Sequence, residues 1–142
     1  MHALNNAIGR NFIKESDLTH ACNVYLAEAE FEGNPERRED HICERGWYSE
    51  AVLATVLRTK DNLFTLDLMN PVRPTDTSSH RLFNFDVAGI VVNHPHSHWV
   101  AIRWESDAIW LLNSSRRPKQ LTFQEYLAYL TRYPDSFAVI IH

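Results

Sequence analysis

The sequence predicts an α+β domain in which N-terminal helices pack on an antiparallel sheet. Within residues 1–60, apolar side chains recur mainly at helical spacing, whereas later apolar runs are short and separated by turns. Two of the later runs, at 98–104 and 108–112, flank a polar turn, which is typical of a β-hairpin. Because helices come first and strands follow, the two kinds of element are expected to be segregated.

Three helices are expected in the N-terminal part. Residues 1–9 show helical spacing and end in a glycine, and Ser16 is the expected N-cap of the second helix. The apolar face of that helix comprises Leu18, Ala21, Cys22, Tyr25 and Ala29. The charge-rich run 28–44 contains Gly-Asn-Pro and is expected to be an exposed loop or a mobile helical arm. A third helix is expected from Gly46.

The strands and the last helix follow from shorter patterns. Residues 63–69 and 87–92 are expected to be strands, separated by a loop over 70–80 that contains prolines and serines. Residues 136–142 are expected to form a buried final strand.

A capping box predicts where the last helix begins. Thr122 is followed three residues later by Glu125, and Leu121 is placed to pack against Tyr126 as a hydrophobic staple.

Composition restricts the class of protein. The 142 residues are enough for one domain, predicted over 1–142, with 44% hydrophobic and 23% charged residues, as in ordinary globular chains. A net charge of −4 argues against nucleic acid as a partner. No apolar run reaches the roughly 18 residues of a membrane span, and no signal peptide is recognisable. Two cysteines are too few for a disulfide scaffold, which favours an intracellular protein, cytoplasmic or nuclear. A monomer without cofactor is expected.

The polar residues at the ends of the hairpin suggest chemistry. His98 begins one strand of the hairpin and Asn113 follows its partner, so antiparallel pairing places both near one end of the sheet. A cysteine protease needs a thiolate, a histidine that takes its proton and a third group that orients the histidine. His98 and Asn113 are therefore candidate catalytic residues.

Four short segments occur in an order known from one family. They are HALNN at 2–6, GWYS at 46–49, HWVAIR at 98–103 and WLLNS at 110–114. With them the chain resembles the Josephin domain, a papain-like cysteine protease that removes ubiquitin. The resemblance implies a papain-like (Josephin) fold, a deubiquitinase activity and ubiquitin or polyubiquitin as partner. It also implies that His98 is the general base and that Asn113 orients its ring.

The resemblance places the remaining catalytic groups outside the printed chain. The nucleophilic cysteine of the family lies three residues before the histidine of HALNN, hence two positions before Met1, and the oxyanion-hole glutamine lies further upstream. One explanation is that Met1 is an internal residue of a longer protein, so that the domain is N-terminally incomplete. The other is that the product is an inactive ubiquitin-binding pseudoenzyme. The first is favoured because a buried helix rarely begins at a chain start.

Two further alternatives stay open at this stage. Cys43, two residues before Arg45, whose charge would favour a thiolate, or Cys22 could replace the missing nucleophile, although Cys22 lies on an apolar helix face. The run HPHSH could instead make a metal-binding domain, since His94, His96 and His98 occupy alternating positions.

Overall fold

The computed structural model describes residues 1–43, 46–60, 62–95 and 97–142 of the chain. The helices are α1 (His2–Ile8), α2 (Glu15–Phe31), α3 (Glu50–Lys60), α4 (Asp76–Ser79) and α5 (Phe123–Arg132). The strands are β1 (Phe64–Leu66), β2 (Val87–His94), β3 (His98–Glu105), β4 (Ala108–Leu112), β5 (Lys119–Leu121) and β6 (Ser136–Ile141). Two short 3-10 helices span Arg38–Asp40 and His80–Phe83. The predicted α+β class is confirmed.

The six strands form one antiparallel sheet in the order β1-β6-β2-β3-β4-β5, and an apolar layer covers each face. Val91 and Ala101 point to the layer formed with α1, α2 and α3. Ile90 and Ile102 point to the opposite layer, which contains the buried side chains of α5. Because both faces are covered, the central strands are apolar on consecutive residues and do not alternate with polar ones.

A buried asparagine holds the connection between α1 and α2. The Asn5 side chain donates from Nδ2 to the Ile13 carbonyl at 2.8 Å, and Oδ1 accepts the N–H groups of Phe12 at 2.9 Å and Ile13 at 2.7 Å. These bonds satisfy backbone groups of a connection that enters the core at Ile13. They fix the start of α2 relative to α1.

The expected start of the second helix is wrong. Helix α2 begins at Glu15 with Lys14 as N-cap, and Ser16 lies inside the first turn. The carboxylate of Asp17 accepts the N–H of Lys14 at 2.8 Å and also pairs with Lys60 of α3 at 2.7 Å. The hydrogen bond from Lys60 lowers the pKa of Asp17. A contact with α3 therefore helps to set the start of α2, for which local capping preference had predicted Ser16 as the N-cap.

Three other expectations need correction. Helix α3 begins at Glu50 rather than at Gly46, which adopts the left-handed φ of 76° typical of a turn. The strand expected over 63–69 is shorter, at Phe64–Leu66, and the loop expected over 70–80 contains helix α4.

The hairpin of β3 and β4, the last strand and the capping box of Thr122 and Glu125 are confirmed. Leu121 and Tyr126 are buried in the same layer, as the staple predicts. Strand β5 was not anticipated, since it has three residues of which two are exposed and polar. No helix within the described residues is long and apolar enough to span a membrane.

Replacing Asn5 should destabilise the fold far more than replacing its neighbour. Asn5→Ala leaves the buried N–H and carbonyl of Ile13 without their partner, which we expect to lower the free energy of unfolding by about 2–4 kcal/mol. Urea denaturation followed by circular dichroism measures this. Asn6→Ala is the matched control, with an expected change within about 0.5 kcal/mol. Equal effects of the two variants would contradict the role given to Asn5.

Candidate active site

The sheet brings His98 and Asn113 together at one end of β3 and β4. The pairing of Ala101 with Leu112 sets the register, so that His98 and Asn113 both lie beyond the last paired residues at that end. The Asn113 side chain donates from Nδ2 to Nε2 of His98 at 3.4 Å. The proximity expected from the hairpin is therefore present, and both side chains are half-buried.

This hydrogen bond defines the tautomer of His98. Since Nε2 accepts, the neutral ring carries its proton on Nδ1, which donates to Oγ of Ser97 at 2.9 Å. Oδ1 of Asn113 accepts from the backbone N–H and the hydroxyl of Ser115, at 3.1 and 2.9 Å. If the carboxamide of Asn113 rotates by half a turn, its Oδ1 faces Nε2 of His98 and can accept an N–H there. Nδ1 of His98 is then free to accept a proton, and the bonds from Ser115 to Oδ1 are lost.

A cavity of about 190 Å³ opens beside His98, and we call it the His98 groove. The start of α1, residues 1–4, lines one side, and His98 with Ser97 lines another. Trp47 and Tyr48 form a third wall. This wall is held against the sheet, because Trp99 donates from Nε1 to the Tyr48 carbonyl at 2.7 Å. The groove therefore joins the start of a helix to a histidine.

A buried histidine anchors the segment behind this wall. His41 donates from Nε2 to the Glu36 carboxylate at 2.5 Å, and its Nδ1 accepts from the hydroxyl of Ser49 at 2.8 Å. The backbone bond from Ser49 N–H to the His41 carbonyl, at 2.9 Å, closes the segment. The expectation of an exposed loop or mobile helical arm over 28–44 agrees with residues 32–40, which are exposed, but α2 continues to Phe31 and His41 is buried. Glu44 lies outside the described residues.

His94 lies next to His98, and the sequence predicted no catalytic role for His94. The two are paired residues of β2 and β3, with ring centroids 4.5 Å apart. His94 stacks on Tyr133 at 4.0 Å, and its Nε2 accepts from the Tyr129 hydroxyl at 2.5 Å. Burial and the nearby His98 lower the pKa of His94 to about 4, and burial raises the pKa of Tyr129 to about 12. Both groups are therefore neutral at neutral pH.

Neither cysteine lies in the groove. Cys22 is fully buried in the core, where burial raises the pKa of its thiol. Cys43 is half-buried and does not line the groove either. Arg45, the residue considered as its activator, lies outside the described residues. The expectation that one of them could replace the nucleophile has no geometric support.

Of the three histidines of the metal-binding alternative, His94 and His98 lie within the described residues and His96 lies outside them. In the part of the chain that the structure describes, no group of three or more His, Cys, Asp or Glu side chains is placed to hold a metal ion. Nε2 of His94 is already engaged by Tyr129.

The chain was compared with known families and proteins. The family model described as Josephin matches residues 1–136, a span that includes the described residues lining the groove as well as Asn113. The search of curated proteins gives no match.

Replacing His41 should weaken the fold more than replacing an exposed histidine. His41→Ala removes the hydrogen bonds that join Ser49 to Glu36 through the ring, and we expect a loss of about 1–3 kcal/mol in the free energy of unfolding. His20→Ala, on the exposed side of α2, is the control, with an expected change within about 0.5 kcal/mol. Chemical denaturation measures both. A His41→Ala protein as stable as the control would contradict the anchoring role.

His94 should make stability depend on pH in the acid range. Its pKa is about 4 in the folded chain and near 6.5 when unperturbed, so unfolding takes up a proton between these values. The contribution of neutral His94 to the free energy of unfolding is fully present above pH 6.5 and is lost as the pH falls toward 4. His94→Gln keeps an acceptor for Tyr129 but cannot be protonated. We expect its free energy of unfolding to fall less between pH 7 and pH 4.5 than that of the native chain.

Urea denaturation at the two pH values measures this difference. Equal losses in both proteins would show that His94 is not the responsible group.

Proposed function

The chain belongs to the Josephin family, and from this we propose that it is a cysteine-type deubiquitinase domain acting at the C-terminus of ubiquitin. Josephin domains are generally ubiquitin-related and similar to cysteine proteases. The observation that most supports the proposal is the His98–Asn113 pair, which faces a groove shared with the start of α1. The proposed partner is ubiquitin, free at its C-terminus or within polyubiquitin.

We assign His98 the role of general base and Asn113 the role of orienting its ring. Nδ1 of His98 is the nitrogen available to a thiol, because Nε2 faces Asn113. With its carboxamide turned, Asn113 accepts the Nε2 proton and holds the tautomer in which Nδ1 is the acceptor. Ser97 now takes the hydrogen bond of Nδ1, so an approaching thiol replaces that contact.

We place the nucleophile two positions before Met1, in agreement with the family resemblance. The start of α1 and His98 line the same groove, which is the arrangement that a thiolate–imidazole pair requires. Cys22 and Cys43 do not line it. We propose that residues 1–142 form a single Josephin domain.

The proposed reaction is acyl transfer in two steps. The thiolate attacks the carbonyl carbon of the terminal glycine of ubiquitin, a C–S bond forms, and the C–N bond to the leaving amine breaks as His98 delivers the proton. Water then attacks the thioester while His98 takes its proton, which releases the ubiquitin carboxylate and restores the thiol. No cofactor is required.

A second candidate function is ubiquitin binding without hydrolysis. It is favoured by the position of both cysteines outside the groove. In that case the groove and its aromatic wall serve recognition alone. The described residues offer no ligand cluster for a metal-binding function.

Adding the missing thiol separates the two candidates. We expect the chain preceded by a Josephin-family segment that carries the oxyanion-hole glutamine and ends in Cys-Ala to hydrolyse a fluorogenic ubiquitin conjugate, and the chain 1–142 alone to bind ubiquitin without cleaving it. In the extended protein, His98→Ala should lower kcat/KM by about 100-fold or more, because proton transfer is lost. His20→Ala is the control and should leave the rate unchanged.

The outcomes are distinct. Hydrolysis only after extension supports the deubiquitinase, whereas binding with no hydrolysis in either protein supports the binding module. Ubiquitin binding is followed by chemical shifts of the protein's amides. Activity that survives His98→Ala contradicts the assigned base, and absence of binding at high ubiquitin concentration contradicts both functions.

A further inference from the structure

A second cavity, of about 570 Å³, adjoins His98 and Asn113 on the face of the sheet that α5 covers. Four basic residues line it, and we call it the basic cleft. They are Arg116 and Arg117 after β4, Lys119 of β5 and Arg132 of α5. None of its described lining residues is acidic. The cleft concentrates positive charge in a chain whose net charge is −4.

Little of this charge is neutralised within the chain. Lys119 lies 3.4 Å from the Glu125 carboxylate, but both groups are exposed, so the pair is weak. Arg132 lies over the ring of Tyr133 at 5.3 Å, a contact that leaves its charge intact. Arg116 and Arg117 form no ion pair with an acidic side chain of the described chain. Two exposed guanidinium groups are therefore available to an external anion.

The floor of the cleft is aromatic and neutral. Tyr129 and Tyr133 are half-buried there, and the Tyr129 hydroxyl is bonded to His94. Such a floor can pack against the methylene groups and backbone of a peptide, while arginine forks bind carboxylates in pairs of parallel hydrogen bonds. The combination suits a ligand that carries carboxylates on short side chains.

The charge outside the cleft argues for a short ligand. The chain contains 18 acidic and 14 basic residues, and four of the basic ones line the cleft. The rest of the surface is therefore more acidic than the whole chain and repels an extended polyanion such as RNA. We propose that the basic cleft binds a short peptide segment rich in aspartate and glutamate.

The position of the cleft gives this binding a use. His98 lines both the His98 groove and the basic cleft, so a segment in the cleft lies next to His98 and Asn113. The use of this binding, unlike the binding itself, rests on the proposed function. If the chain cleaves ubiquitin conjugates, the segment bound in the cleft flanks the bond that is cleaved. The cleft then selects conjugates with acidic residues near the modified lysine.

Fluorescence anisotropy of a labelled peptide with alternating glutamate and serine tests the proposal on the chain 1–142, without ubiquitin. We expect saturable binding that weakens with added salt, and none of the counterpart peptide with glutamine in place of glutamate. Arg116→Ala with Arg117→Ala should weaken binding about tenfold or more. Arg37→Ala with Arg38→Ala, an exposed adjacent pair outside the cleft, is the control and should change affinity less than about twofold.

Amide chemical shifts of the native chain give a second, variant-free readout, and peptide should perturb residues 113–119 and 129–133. Three results would each overturn the proposal. They are unchanged peptide affinity in the Arg116/Arg117 variant, peptide-induced shifts confined to other surfaces, and tighter binding of a single-stranded RNA oligonucleotide than of the peptide. Loss of ubiquitin binding with retained peptide binding would count against the proposed function alone.

Discussion

The register between β2, β3 and β4 is the constraint on which the rest of the structure depends. Pairing of His94 with His98 and of Ala101 with Leu112 gathers three polar residues, His94, His98 and Asn113, at one end of the sheet. Apolar side chains on both faces hold this register, because a slip by one residue would exchange the two buried layers. Packing in the middle of the sheet thus determines the geometry of polar groups at its edge.

The two sides of the site are built by different means. On the side of α1 to α3, buried polar side chains such as Asn5, His41 and Ser49 fix backbone segments through short hydrogen bonds. On the side of α5, ring contacts hold the segments together: His94 is stacked on Tyr133 and lies edge-to-face against His98. A buried hydrogen-bond network tolerates little change in any one member, whereas ring stacking depends mainly on shape.

Local signals in the sequence were sufficient for part of this arrangement. The polar turn at 105–107 between two apolar runs predicted the hairpin, and the capping box predicted the start of α5. Features that arise from distant contacts were not predictable. Lys60 helps to set the start of α2 from 43 residues away, and Tyr129 reaches His94 across 35 residues. The basic cleft likewise combines a loop, an edge strand and a helix, which no local pattern connects.

Strand β5 also bears on how the protein behaves at high concentration. It forms one border of the sheet, and such a border presents unpaired backbone groups to which another strand can add. This border has only three residues, and Lys119 and Gln120 are exposed there. Its short length and the lysine charge disfavour sheet-to-sheet joining between copies of the chain. The lysine that lines the basic cleft therefore also helps to protect the protein from aggregation.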